Sequence, residues 1–560
     1  LKGGHFSIRP VSPFKTKQFY WPETNVLITR YRTDEGIVEI SDFMPVGIKI
    51  RDEDDYRIIR RVRGINGRVK MRMECRPAFN YARDTHTINL AEHGATFTSG
   101  SYSMDLDSEL PLKKQDDMAM AEFIMVQDDS EVFIFHKSND KDRSSRALRD
   151  EQVDEDLHDT IVYWRNWISK AIYKGRWREM VHRSALILKL LTFEPTGAIV
   201  AAATCSLPEG IGGERNWDYR YTWIRDAAFT VYAFMRLGFT EEAAGFMGWV
   251  MERLAESTAG EPLQIMYGID GRHKLTEEVL GHLEGYMGSS PVRIGNGAYD
   301  QLQLDIYGEL MDSVYLFNKY GVSMGYRGWK EVKKIADWVV KNWKLKDEGI
   351  WEVRSGKQEF VYSKLMCWVA LDRTIRLALK NSLPADLNTY IATRDTIYNE
   401  IMEKGWSEER QAFIQHYGSN NLDASNLMMP LVFFIAPTDP LMLKTLDATL
   451  LSPEKGGLVT NSHVYRYNVH ESPDGLEGHE GTFNICTFWL VEALTRAGKS
   501  YPDRLEEARL MFEQMLGYSN HLGIYSEEIG IGGEALGNTP QAFTHLALIS
   551  AAFNLDRALG

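Results

Sequence analysis

The hydrophobic period of the chain changes once along its length. Over roughly the first 140 residues apolar side chains recur at every second position. Val69, Met71, Met73 and Cys75 alternate with Lys70, Arg72 and Glu74, the spacing of a strand with one face in a core and the other in water. Residues 24–33 and 37–43 flank Asp34-Glu35-Gly36 and read as a hairpin. Residues 97–106 and 131–136 continue the pattern. Several short strands separated by turn signals predict an antiparallel β-sandwich over residues 1–145. Residues 137–159 are charged and rich in Asp, Arg and Ser, which predicts a linker, partly helical, over 146–176.

From about Trp177 the period becomes helical. Candidate helices fall at 177–192, 226–237, 240–255, 300–319, 329–343, 362–380, 386–403, 422–435, 439–451, 483–497, 503–516 and 540–555. Short joins alternate with long loops rich in Gly, aromatic and polar residues, and the long loops follow every odd-numbered helix. In an up-and-down arrangement all six long loops emerge at one end. An inner and an outer ring of six helices would gather them around a funnel; an open solenoid would lay them along a ridge.

At 560 residues the chain is long enough for more than one structural unit. A hydrophobic fraction of 44% with 25% charged residues is ordinary for a globular protein and excludes disordered, collagen-like and coiled-coil classes. The formal net charge of −14 argues against nucleic acid or an anionic membrane as the main partner. No run approaches the roughly 20 apolar residues of a membrane span. The opening LKGGHFSIRP carries no signal pattern, and its lack of a Met points to a cropped or processed start. Cys75, Cys205, Cys367 and Cys486 are far apart, without C-x-x-C spacing, so neither a disulfide framework nor a zinc site is expected, and a cytoplasmic location is.

The chemistry concentrates in the long loops. NWDYRYTWIRD (216–226) offers Trp217, Tyr219, Tyr221 and Trp223 with Arg225-Asp226 opening a helix. Aromatic faces stack on sugar C–H faces, and Arg and carboxylate groups bind hydroxyls. The same letters also describe a buried strand followed by an acid in a first helical turn. In DEGIWEVRSG (347–356) Glu352 follows Trp351; an apolar neighbour can raise a carboxyl pKa, as a general acid requires, although an exposed Glu is the commoner meaning. GIYSEEIGIGGEALGN (523–538) places Glu527 and Glu528 in a Gly-rich loop, usually a solvated turn. One of them opposite Glu352 would make the carboxyl pair of a glycosidase. The remaining loops supply Tyr267, Asp270, Arg293, His416, Asp423, Arg466, His479 and Glu480. None shows metal-ligand or P-loop spacing, and the glycines at 210–213 are wrongly spaced for a dinucleotide. No cofactor or metal is expected.

With YTWIRD (221–226), GIWEV (349–353), Arg466-Tyr467 and YSEE (525–528) in that order, the chain resembles glycoside hydrolase family 15, the glucoamylases, glucodextranases and prokaryotic trehalases. The likeness runs from about residue 177 to the end, and the β-rich start resembles the N-terminal sandwich of prokaryotic members with its first strands missing. The resemblance implies an (α/α)6 barrel over 177–560 and inverting exo-hydrolysis of α-linked glucose. It casts Glu352 as general acid and Glu527 as general base, separated by roughly 6.5–9.5 Å to admit a water. Tyr219, Trp223, Arg225, Asp226, Trp351, Arg354, Arg466 and Glu480 are then candidate sugar-binding residues. Val353 stands where fungal glucoamylases carry a second acid, with Arg354 next to it, so their contacts to the departing sugar do not transfer. The expected substrate is an α-glucan or maltooligosaccharide, with α,α-trehalose as the alternative. A non-catalytic relative, a barrel kept for binding or regulation like the regulatory subunits of phosphorylase kinase, is the reading of another class. The joint presence of Glu352, Glu527, Trp223, Arg225 and Asp226 counts against it.

Overall fold

A computed structural model describes residues 3–46, 56–138, 150–256, 261–321 and 325–560. Two compact units divide the chain, residues 1–169 and 170–560.

The first unit contains β1 (His5–Pro10), β2 (Lys15–Tyr20), β3 (Leu27–Arg32), β4 (Gly36–Phe43), β5 (Arg57–Arg76), β6 (Thr87–Ala91), β7 (Gly94–Ser99), β8 (Tyr102–Asp107), β9 (Lys113–Gln115), β10 (Met118–Val126) and β11 (Ser130–Lys137). The first part of β5 pairs with β4 and β11 and the second with β1 and β10, all antiparallel. One long strand therefore belongs to two layers, β2-β3-β4-β5-β11-β8-β7-β6 and β1-β5-β10-β9. The crossing needs glycine: a Cβ on Gly64 would lie 1.8 Å from the Val126 carbonyl oxygen, and Gly67 sits at φ 71°. Beyond it, Val69, Met71, Met73 and Cys75 turn inward against Val38, Ile40, Phe97 and Phe133 of the other layer and form the sandwich core. Of the charged stretch 137–159, residues 139–149 lie outside the described residues. Its remainder enters α1 (Asp150–Ser169), whose Val153, Leu157 and Ile161 pack on Val26, Ile28, Ile59 and Ile134 from the opposite face of the larger layer. Polar residues on three sides of a helix hide one apolar stripe.

The second unit holds α2 (Arg178–Leu190), α3 (Ile224–Leu237), α4 (Thr240–Glu256), α5 (Asp305–Tyr320), α6 (Tyr326–Asn342), α7 (Val361–Asn381), α8 (Leu387–Lys404), α9 (Pro440–Leu450), α10 (Asn484–Ala497), α11 (Pro502–Leu516) and α12 (Ala542–Leu559). The place of the expected helix 422–435 is taken by a 3-10 run, Ala424–Met428, followed by turns. Pro430 has no N–H to continue a helical ladder, and Phe433 sits at φ 65°. In sequence order α3, α5, α7, this run, α10 and α12 pack each on the next, and α12 returns to α3. The ring is closed. Nearly all of α7 is buried, whereas α8 buries only Tyr390, Ile397 and Ile401 along one side, the contrast expected between an inner and an outer helix. The inner helices approach closely: a Cβ on Gly308 of α5 would fall 2.2 Å from the Met366 carbonyl oxygen of α7.

Candidate active site

Every long connection of the second unit enters an inner element: residues 191–223, 257–304, 343–360, 405–423, 451–483 and 517–541. The first turns of α3, α10 and α12 border a cavity, with Trp223, Arg225, Asp226, Phe483, Gln541 and Phe543 among its walls. Helix N-termini bring partial positive charge to such a place. Tyr219, Trp351, Glu352, Arg354, Arg466 and Glu527 also line it. Loops far apart in sequence thus bring nine of the ten candidate residues to one cavity.

On one side stands Glu352. It lies in a tight turn in which its N–H donates to the Gly349 carbonyl at 3.1 Å, and its own φ is 57°. A residue with a Cβ pays of the order of 1–3 kcal/mol for such a backbone. The Trp223 indole N–H donates to Glu352 Oε1 at 2.7 Å, and Arg225 Nη1 lies 3.6 Å from the same oxygen. Its polar partners therefore come from the start of α3. The Trp351 N–H instead donates to Asp423, at 3.0 and 3.1 Å. Arg225 also donates to the Ile350 carbonyl at 2.6 Å, tying α3 to the turn. Its Nε is 3.5 Å from Asp226 Oδ1, yet both of those buried atoms lack a hydrogen-bond partner. Burial pushes Asp226 up to about 7 against the pull of Arg225. A buried donor and acceptor without partners, in a cavity wall, are suited to ligand hydroxyls.

Elsewhere in the lining, Tyr219 donates its hydroxyl to Glu527 Oε1 at 2.8 Å, and Gln541 Nε2 approaches the same oxygen at 3.5 Å. The local strand pairing explains the placement: residues 482–483 pair with 528–529, and 528–529 pair with 535–536. Carboxyl oxygens of Glu209, Glu527 and Glu528 lie within 4.8 Å of one another. All three residues are buried, and each keeps one oxygen without a hydrogen-bond partner. Three carboxylates at this spacing could share a cation; protons are the other way to neutralise them. Burial raises Glu527 and Glu528 well above the ordinary carboxyl range and Glu209 to about 7, the other acids adding to the effect and Arg466 opposing it.

Glu480 does not line the cavity. It holds Arg466 bidentately, at 2.9 and 2.5 Å, while Arg215 pairs with Asp474 at 2.7 and 3.0 Å. Trp217 and Arg354 are lining residues: the guanidinium groups of Arg293 and Arg354 lie over the Trp217 ring, 4.8 and 4.6 Å from its centre, and Arg354 pairs with Glu277 at 2.9 Å. Of the other loop residues considered, Asp423 serves Trp351, Tyr267 is buried opposite Thr222, and Asp270 is exposed. Glu209, Asn296 and Gln541 line the cavity without a prior signal. Glu209 sits in SLPEGIGG, where a buried acid and a solvated turn acid read alike. The four cysteines are free, and among the described residues no helix is long and apolar enough to cross a membrane.

Comparison with known proteins adds the family. Residues 175–553 match the family model described as glycosyl hydrolases family 15. A trehalase of Thermoplasma volcanium is 38% identical over the whole of this chain and 87% of its own length. A trehalase of Mycobacterium tuberculosis is 37% identical over 99% of this chain and 83% of its own. Among solved structures, a bacterial glucoamylase complexed with acarbose superposes with a TM-score of 0.74 at 16% identity, covering 98% of this chain and 88% of that one. A β-sheet unit, a twelve-place helical ring and an acid-lined cavity, with these relatives, define a glycoside hydrolase. More particularly, the chain belongs to glycoside hydrolase family 15.

Proposed function

We propose that this chain hydrolyses α,α-trehalose to two glucose molecules with inversion at the attacked carbon. The observation carrying the choice of substrate is the match of both units, at 37–38% identity, to proteins named trehalase. The likeness to glucoamylase, at 16% identity, speaks for the fold. The α-glucan substrate favoured by the motifs alone therefore gives way to its alternative.

In this reading one glucose enters the cavity between Trp223, Arg225 and Asp226, whose unpartnered Nε and Oδ1 take up its hydroxyls. Glu352, as general acid, gives its proton to the glycosidic oxygen as the C1–O bond breaks. Glu527, as general base, takes a proton from a water attacking C1 from the opposite face. The proton lost by Glu352 leaves with the departing glucose; Glu527 then gives its proton to solvent and Glu352 regains one from solvent, so both carboxyls return to their starting states and the protons balance over a turnover. Tyr219 orients the base through its hydrogen bond to Oε1. The +1 glucose then meets Trp217 and Arg354 of the lining, where an aromatic ring and a charged donor suit a second sugar.

Glucose release measured side by side on trehalose, maltose, maltotriose, isomaltose and soluble starch tests the assignment. Trehalose should give the highest kcat/KM. A preference for maltooligosaccharides or starch would return the chain to the glucoamylase reading.

A further inference from the structure

Glu209 has no part in the acid–base pair, yet it is 2% exposed, borders the cavity and lies within 4.8 Å of the base. The charges around it decide its state. From its own loop come Arg215, Tyr219 and the Trp217 indole, which hydrogen-bonds Glu209. Arg466, Asp474 and Glu480 come from the loop before α10, Glu527 and Glu528 from the loop before α12, and Glu352 from the loop before α7. The two arginines are already engaged, Arg466 with Glu480 and Arg215 with Asp474. Three buried carboxyls are left with no cation of their own. Three negative charges in one desolvated space are untenable, so without a shared cation the group holds protons and titrates as a unit.

Each of the three carboxyls meets at least one hydrogen-bond donor. Glu527 receives the Tyr219 hydroxyl and is approached by Gln541. Glu528 receives the Gly481 N–H at 2.6 Å, and Glu209 the Trp217 indole. We propose that Glu209 is a positioning residue that shares the protons and the negative charge of a three-carboxyl cluster with Glu527 and Glu528, and so sets the pH at which Glu527 is fully ionised and ready to accept a proton. The inference rests on the reading of Glu527 as base. Its direction follows from electrostatics: a negative Glu209 opposes ionisation of Glu527, so removing that carboxyl eases it.

The test is the pH dependence of kcat/KM on trehalose for the full chain, wild type against Glu209→Gln, with circular dichroism confirming the fold. The acid limb of the variant should move to lower pH by about one unit. An acid limb that superimposes on the wild type, with only the height reduced, would overturn the proposal and leave Glu209 a structural role. Should Glu209→Gln fail to fold, Glu528→Gln carries the same test, and its limb must move in the same direction. Activity abolished by EDTA and restored by Mg²⁺ in the wild type, but not in Glu209→Gln, would also overturn it, since a cation and not protons would then neutralise the cluster. Failure of the underlying reading looks different: Glu527→Gln would retain its rate whatever Glu209 does.

Discussion

Glu352 keeps a left-handed backbone at φ 57° that a Gly would adopt more cheaply. The strain is repaid only if the carboxyl has to stand where the Trp223 N–H and Arg225 meet it. Glu352→Gln preserves shape and removes the transferable proton, so kcat on trehalose should fall by about 10²–10⁴-fold with the melting temperature unchanged; a near-wild-type rate would dismiss the acid assignment. Glu527→Ala should cripple hydrolysis comparably and open a space beside Tyr219. Added azide should then restore part of the rate by attacking C1 in place of activated water, yielding a glucosyl azide detectable by mass spectrometry. Legibility at this scale was uneven. The aromatic and acidic letters of the loops pointed to nine cavity residues, because sugar recognition uses few residue types and the motifs come in order. Glu209 was invisible, because its meaning lies in burial beside Glu527 and Glu528, and burial of a loop residue depends on five other loops. Trp351 was legible as part of the site, but not that its indole serves Asp423 or that the hydrogen-bond partner of Glu352 comes from a loop some 130 positions earlier.

Helix period was enough to place eleven of the twelve helices, while closure into an inner and an outer ring was implied only by the family resemblance. The place filled by Ala424–Met428 was the exception. Its apolar letters fit a helix, yet Pro430 and the Asp423 side chain, which accepts the Ser425 N–H at 2.8 Å, hold it as a short 3-10 run. In the sandwich the alternation over residues 69–75 was legible, but the doubling of β5 into two layers was not, since it depends on Gly64 and Gly67 rather than on a change of period. Helix packing yields its own prediction. Gly308 lets α5 lie against the backbone of α7, so Gly308→Ala should destabilise the second unit by about 1–3 kcal/mol, or more if the helices cannot part. Calorimetry should show a lowered melting temperature; an unchanged one would mean that the two helices are not in contact at this point.

At the scale of the whole molecule, buried acids make stability depend on pH. Asp226 and Asp347 are pushed up to about 7 by burial, well above the range near 4 of an unfolded chain. A raised carboxyl binds its proton more tightly when folded. Its contribution is complete below the unfolded value and is lost as pH rises through the folded one. The depressed histidines His463 and His545 act in the opposite sense, but their unfolded counterparts are only half protonated at about pH 6.5 and lose most of the rest by about pH 7.5, so the more numerous raised acids prevail. Between about pH 6.5 and 8 the melting temperature should therefore fall, and a flat or rising curve would contradict the burial of these acids. Fold class and family could be read from the chain because they rest on repeated patterns. The choice between trehalose and α-glucan could not, because it rests on a few contacts to the departing sugar. One experiment joins site, substrate and stereochemistry. Proton NMR of the first products from α,α-trehalose, recorded before mutarotation, should show α- and β-glucose in equal amounts: inversion makes β-glucose at the attacked carbon, while the departing glucose keeps its α configuration. α-Glucose alone would mean retention, and would contradict an acid at Glu352 working with a water-activating base at Glu527.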